Sequence, residues 1–164
     1  MLAILRASID YLEAITEIYN QAVLTTTATF DSEPISLEEQ RIWFAEHDEK
    51  FPIFVALKHS KVVGWASLSK WSGRCAYSDT AEISVYIKEG FRGKGIGTKL
   101  INRVLDEGKK AGVHTVLARI AEGSEASIRL HKNAGFEYVG VMREVGRKFG
   151  KLLDVHLLQL ILKR

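Results

Sequence analysis

Ala81-Glu82-Ile83-Ser84-Val85-Tyr86-Ile87, followed four residues later by Arg92-Gly93-Lys94-Gly95-Ile96-Gly97-Thr98, is the stretch on which the fold turns. The first part alternates, with Glu82, Ser84 and Tyr86 against Ile83, Val85 and Ile87, so it reads as a strand with one more polar face. Beyond the second part, Leu100, Ile101, Val104, Leu105, Gly108 and Ala111 recur at helical spacing and predict an amphipathic helix. Glycines alternating with other residues let a backbone pass close to a ligand. The first N–H groups of the following helix have no internal partners. A turn of this kind is an anion site, and a pyrophosphate is its usual occupant.

Two common phosphate-binding motifs do not fit. The dinucleotide pattern G-x-G-x-x-G fails at Thr98, where the third glycine should stand, and it belongs in a first βαβ unit rather than past mid-chain. The P-loop requires Gly-Lys-Ser/Thr at its end, whereas Gly95 is followed by Ile96. A plain glycine-rich loop is the remaining alternative. Glycines inside a helix start weaken it by up to ~1 kcal/mol each, and a chain with no ligand to hold has little reason to carry them.

The bulk properties narrow the class. A chain of 164 residues suits one domain, residues 1–164, with a sizeable core. Its 46% hydrophobic and 26% charged residues are those of a soluble globular protein. A net charge of +3 is compatible with an anionic ligand and does not argue for nucleic acid. Cys75 is the single cysteine, so no internal disulfide forms, as suits a reducing, cytoplasmic compartment. No apolar run approaches the ~20 residues that cross a bilayer, and the first residues lack the pattern of a secretory signal, so no membrane partner is expected. No His/Cys/Asp cluster has metal-ligand spacing, so no metal is expected.

Element by element, Leu2 to Arg6 reads as a strand, then Ser8 or Asp10 caps a helix to about Leu24. Leu12, Ile15, Ile18, Tyr19 and Ala22 form its buried side. Thr25 to Pro34 is a loop or extended arm. Ser36 with Glu39 forms a capping box opening a helix through about His47, anchored by Trp43 and Phe44. Strands at Ile53 to Leu57 and Val62 to Leu68 flank a hairpin-sized gap. Trp71 to Thr80 is a connection into the strand of residues 81 to 88 and its helix, which Gly112 ends. Val113 to Ala121 is a strand. A shorter helix capped near Ser124 ends at Gly135, and strands at Phe136 to Arg147 and Leu152 to Leu162 close the chain. The order βααβββαβαββ predicts a mixed α/β fold with a largely antiparallel sheet and helices on both faces.

The turn Arg92-Gly93-Lys94-Gly95-Ile96-Gly97 resembles the acyl-CoA-binding turn of the GNAT N-acetyltransferase superfamily, whose element order matches nearly the whole chain. Leu130-His131-Lys132-Asn133-Ala134-Gly135-Phe136, the tail Arg143 to Val155, Tyr19-Asn20 with Thr29-Phe30, and Thr80 to Ile87 resemble its phosphinothricin/methionine sulfoximine acetyltransferase-like branch. The resemblance implies a sheet splayed beside the strand before the glycine turn, with acetyl-CoA as co-substrate and no metal. It implies cofactor contacts at Val85, Tyr86 and Ile87, at Arg92, Gly93, Lys94, Gly95, Ile96, Gly97 and Thr98, and at Ser124, Ser127 and Asn133. Ser124 stands where the family often has Asn, and Leu152 where many relatives have an aromatic residue. The implied substrate is a small amine carrying a carboxylate, of the phosphinothricin, methionine sulfoximine or methionine sulfone type. Its wall would be Ser72, Gly73 and Arg74 with Glu82, Ile83 and Ser84, completed by Phe30 from an arm that a second subunit supplies in such relatives, hence a homodimer.

The chemistry needs an amine freed of its proton. A carboxylate at the mouth of the splay can take it directly or through water, and Glu82 is the candidate general base; the alternative is a solvated residue or a structural ion-pair partner. A backbone N–H around Ser84 to Tyr86 would face the developing oxyanion. His131, where the family usually has a tyrosine proposed as general acid, is the candidate proton donor to the departing thiolate; the alternative is a histidine satisfied within its helix. Arg74 can grip a carboxylate or phosphinate in bidentate fashion, or stand as an exposed cation. Nothing adjacent to Cys75 supplies a base, so direct transfer in a ternary complex is expected rather than an acyl-cysteine. Acetylation of a protein N-terminus and a non-catalytic CoA-binding module are the rival functions.

Overall fold

The computed structural model describes residues 1–163. The strands are β1 (Leu2–Arg6), β2 (Ile53–Lys58), β3 (Lys61–Lys70), β4 (Thr80–Ile87), β5 (Thr115–Ala121), β6 (Glu137–Lys148) and β7 (Lys151–Ile161). The helices are α1 (Leu12–Thr25), α2 (Leu37–Ala45), α3 (Ile96–Lys110) and α4 (Glu125–Asn133). The strands form one sheet in the order β1-β2-β3-β4-β5-β7-β6. Every neighbouring pair is antiparallel except β4 and β5. The mixed α/β fold and the element order are those the sequence implies.

Strand alternation divides the core between two faces. On one, Phe54, Ala56, Ala66, Leu68, Ala81 and Ile83 pack with Leu100, Ile101 and Val104 of α3. On the other, Ile53, Val55 and Trp65 pack with Ile15 and Ile18 of α1, and half-buried Trp43 and Phe44 of α2 lie against them. The buried residue of α2 is Gln40 rather than either aromatic anchor.

Local signals set most boundaries. Ser36 Oγ accepts the Glu39 amide and caps α2 as expected, while the return bond runs from its hydroxyl to Glu39 Oε1 rather than from its backbone amide. At the end of α3, Gly112 has φ +105°; its amide donates to Lys109, and the Val113 amide donates to Gly108. This paired closure satisfies carbonyls that the helix leaves free. Gly135 closes α4 in the same way, with its amide on Lys132 and that of Phe136 on His131.

Two expectations at helix starts and ends are corrected. Neither Ser8 nor Asp10 caps α1: a 3-10 turn, Ile9–Tyr11, precedes it, and Ser8 makes no side-chain capping bond. α2 stops at Ala45, before His47, whose Nδ1–H donates to the Trp43 carbonyl. Ser124 is the N-cap residue of α4, as expected, although its side chain makes no capping bond. The connection from Trp71 to Thr80 contains a short 3-10 turn, Cys75–Tyr77.

Candidate active site

The parallel pairing of β4 with β5 is brief. Thr80, Ala81 and Glu82 face Thr115, Val116 and Leu117, and the register stops there although β4 runs to Ile87 and β5 to Ala121. Antiparallel pairing with β3 holds β4 to its end, and pairing with β7 holds β5 to its end. The two halves of the sheet therefore diverge from Glu82 onward, and the backbone groups of β4 that face the opening have no strand to bond.

The glycine turn lies at the open end of this wedge. Gly93 and Gly95 have φ of +75° and +82°, a region where a side chain is strained. A Cβ on either would meet nothing within 4 Å, so their surroundings are open rather than packed. Gly95 is the N-cap of α3, and the first helical bond runs from the Lys99 amide to Gly95. The amides of Ile96, Gly97 and Thr98 thus have no intrahelical acceptor. Gly97 serves packing: a Cβ there would lie 3.0 Å from Leu130 Cδ2, so α3 and α4 approach closely beside the turn.

Two cavities occupy the wedge. A trough of about 780 Å³ runs past the glycine turn. Every residue expected to contact the cofactor borders it except Lys94, whose ammonium lies 5.8 Å from the Phe91 ring. A second cavity of about 490 Å³ continues deeper, bordered by Glu82, Ile83, Ser84, His131 and Phe30. Thr27, Ala28, Val85, Tyr86, Ser124 and Ser127 border both, so the two spaces are continuous. The residues present fit an extended ligand with a diphosphate: unpaired amides at one end, and a channel leading to ionisable side chains at the other.

Glu82 faces the inner cavity in a fork with Arg119, Nε to Oε2 at 2.6 Å and Nη2 to Oε1 at 2.7 Å. The bonds it donates to Glu82 hold the guanidinium above its usual pKa. The Arg119 side chain is 52% exposed and lies 5.3 Å over the Trp71 ring. An ion pair this open to water contributes about 0.2–1 kcal/mol, so it is readily exchanged.

His131 is 4% exposed and lies edge-on to Phe136. Its Nδ1 donates to the Ser127 carbonyl at 2.7 Å. Burial pushes the imidazole below its ordinary pKa. The ring is therefore neutral near pH 7 with its lone pair on Nε2. In that state Nε2 can accept a proton from a group in the cavity.

The arm between α1 and α2 covers the junction of the cavities. The Tyr19 hydroxyl bonds Thr29 Oγ1 and donates to Asp31. The Tyr86 hydroxyl donates to the Ala28 carbonyl at 3.3 Å, and the buried Lys148 ammonium donates to the Thr29 carbonyl at 2.8 Å. Burial raises both phenols above their usual pKa, so they remain donors. A Cβ at Gly146 would overlap the Phe30 ring, so that ring rests directly on β6. The chain's own arm thus brings Phe30 to the cavity.

The register of β6 against β7 jumps between Met142↔Val155 and Gly146↔Leu153. Glu144 within the jump has φ +51°, and its amide is held by Asp154 Oδ1. This bulge lies between Met142 and Val145, both of which border the inner cavity.

Ser72, Gly73 and Arg74 are not brought there. They lie on the stretch before the 3-10 turn, with the Arg74 amide on Ser72 Oγ, and border neither cavity in the single chain. Arg119 and Lys148 were not singled out from the sequence. Arg119 had a signal: it is the one charged residue in the otherwise apolar run Val116 to Ala121. Lys148 had none, since its partners lie far away in the sequence. Among the described residues no group of His, Cys, Asp or Glu is positioned to hold a metal ion, and no helix is long and apolar enough to cross a membrane.

Comparison with known proteins agrees with this geometry. The sequence profile of the acetyltransferase (GNAT) family matches residues 12–136. An L-methionine sulfoximine/L-methionine sulfone acetyltransferase from Pseudomonas paraeruginosa is 38% identical over 156 residues, 94% of this chain and 91% of that protein. A GNAT superfamily phosphinothricin acetyltransferase from Sinorhizobium meliloti, crystallised with acetyl-CoA, superposes with a TM-score of 0.95 at 34% identity, covering 98% of this chain and 88% of that one. A ribosomal-protein-alanine N-acetyltransferase from Brucella melitensis superposes with a TM-score of 0.94 at 36% identity, covering 98% and 99%. With a splayed sheet, an amide-lined turn and a full-length match in sequence and shape, the chain belongs to the GNAT family and is an N-acetyltransferase.

Proposed function

We propose that the protein transfers the acetyl group of acetyl-CoA directly to the α-amine of a small amino acid or amino-acid analogue, of the phosphinothricin, methionine sulfoximine or methionine sulfone type. The observation that carries this is the continuity of the amide-lined trough with an inner cavity that holds Glu82 and His131. When bound, acetyl-CoA supplies the activated acyl carbon.

The amides of Ile96, Gly97 and Thr98, at a turn opened by Gly93 and Gly95, hold the diphosphate, while Arg92, Lys94 and Asn133 lie at its margin. Val85, Tyr86 and Ile87 line the path inward with Ser124 and Ser127. Glu82 takes the proton of the substrate ammonium. A backbone N–H of β4 between Ser84 and Tyr86 steadies the developing oxyanion. His131 Nε2 accepts a proton as the new amide forms and returns it to the departing sulfur. Ile83, Ser84 and Phe30 shape the amine side. The acyl-enzyme alternative has little support, because Cys75 is exposed and borders neither cavity.

The assembly is a homodimer of single-domain subunits. Tyr138, Val139, Val141, Val145 and Leu152 leave the terminal hairpin with an exposed apolar face. A lone free cysteine suits a cytoplasmic setting.

Thiol release from acetyl-CoA, measured with a panel of amino acids and N-terminal peptides, tests the reading. Amino-acid analogues should stimulate release. Glu82→Gln should lower turnover on the order of 100-fold or more while acetyl-CoA still binds. Stimulation by peptides alone would move the reading to N-terminal acetylation, which the likeness to the Brucella enzyme favours. Tight binding of acetyl-CoA with no stimulation by any amine would indicate a binding module.

A further inference from the structure

Among the described residues, Arg119 is the one permanently charged cation bordering the inner cavity, and it is joined to the carboxylate expected to do the chemistry. Glu82 ends the parallel ladder opposite Leu117, and Arg119 follows Leu117 by two residues, so both side chains project from the same face at the fork of the wedge. The fork occupies both Glu82 oxygens with guanidinium donors. An amine arriving while it holds finds its base already engaged. The fork is also loosely held: the guanidinium is half exposed and rests over Trp71, a face along which it can turn.

The two charges of this pair are the complement of a free α-amino acid. Such a zwitterion carries a carboxylate close to its ammonium. Its carboxylate suits the planar donors of Arg119, and its ammonium suits the oxygens of Glu82. Exchange of partners makes two ion pairs where one stood, and leaves no charge unmatched. An amine without an anion, such as a protein N-terminus or an amino-acid amide, frees Glu82 only by leaving Arg119 without a counterion.

Resting on the acetyltransferase reading above, we propose that Arg119 is the carboxylate anchor of the amine pocket and that substrate binding transfers it from Glu82 to the substrate. Glu82, released, accepts a proton from the ammonium. One N–H bond breaks, one O–H bond forms on the carboxylate, and the electron pair stays on nitrogen for attack on the thioester carbonyl. The selectivity for anionic amines is thereby built into the release of the base. Arg74, which borders neither cavity in the single chain, is not needed for this step.

The experiment compares L-methionine sulfone with its α-carboxamide on the wild type, Arg119→Gln and Arg119→Lys. Melting temperature and acetyl-CoA affinity serve as checks on folding. The wild type should prefer the carboxylate on the order of 100-fold in kcat/KM. Arg119→Gln should reduce that preference to a few-fold, through a higher KM for the carboxylate alone, with the amide unchanged or improved. Arg119→Lys should keep part of the preference, and it carries the test if the glutamine variant does not fold. An equal loss for both amines, or an intact preference, would overturn the anchor. Calorimetric titration of methionine sulfone in the presence of CoA separates the two readings. Binding that Arg119→Gln abolishes supports the anchor even if no amine is acetylated, an outcome that defeats the activity alone. No binding to the wild type overturns the anchor.

Discussion

The Lys148 ammonium donates to the carbonyl of Thr29, 119 residues earlier in the chain, across 2.8 Å in a buried setting. This contact ties the last hairpin to the arm that covers both cavities. Burial draws the lysine below its usual pKa, and the charge of Asp31 partly opposes that shift.

Lys148→Met keeps much of the volume and removes the donor. We expect a loss of about 1–3 kcal/mol, the cost of leaving a carbonyl without its partner. Urea unfolding measures it. The Asp31 amide, which donates to Thr29 Oγ1, should exchange its hydrogen faster. Unaltered exchange there would mean that the lysine does not hold the arm.

Gly95→Ala separates backbone strain from ligand contact. A side chain at φ +82° costs about 1–2 kcal/mol, and no protein atom lies within 4 Å to add a clash. Melting should fall by only a few degrees, at about 2–4 °C per kcal/mol for a chain of this size. Acetyl-CoA affinity should fall about tenfold or more, because the methyl group points into the space assigned to the diphosphate. Equal affinity by calorimetry would remove the turn from the binding site.

Stability should fall on mild acidification. Burial lowers the pKa of His47 and of His131 below 6.5, so the unfolded chain binds protons that the folded chain refuses. The resulting stability is present in full above the unfolded value and is lost as pH falls below it. His47 is held at both nitrogens, with Nδ1–H on the Trp43 carbonyl and Nε2 accepting from the Ser69 hydroxyl at 2.9 Å. Melting followed from pH 7.5 to 5 should show the decline, and His47→Gln should flatten it. A melting temperature constant over that range would contradict the buried, neutral state.

What could be read directly from the chain was local. Ser36 and Glu39 are three residues apart, Gly112 and Gly135 follow the helices they close, and the glycines of the turn determine their own φ. Each depends on neighbours within one or two turns of backbone, so residue type and spacing were enough to place them. The line of residues along the trough was legible for the same reason, since strand, turn and helix follow one another without interruption. The fork between Arg119 and Glu82, the grip of Lys148 on Thr29 and the seating of Phe30 on Gly146 were decided by the tertiary structure. They join residues 37 to 119 positions apart, and only the brief parallel register of β4 with β5, the bulge in β6 and the folding back of the arm bring them within reach.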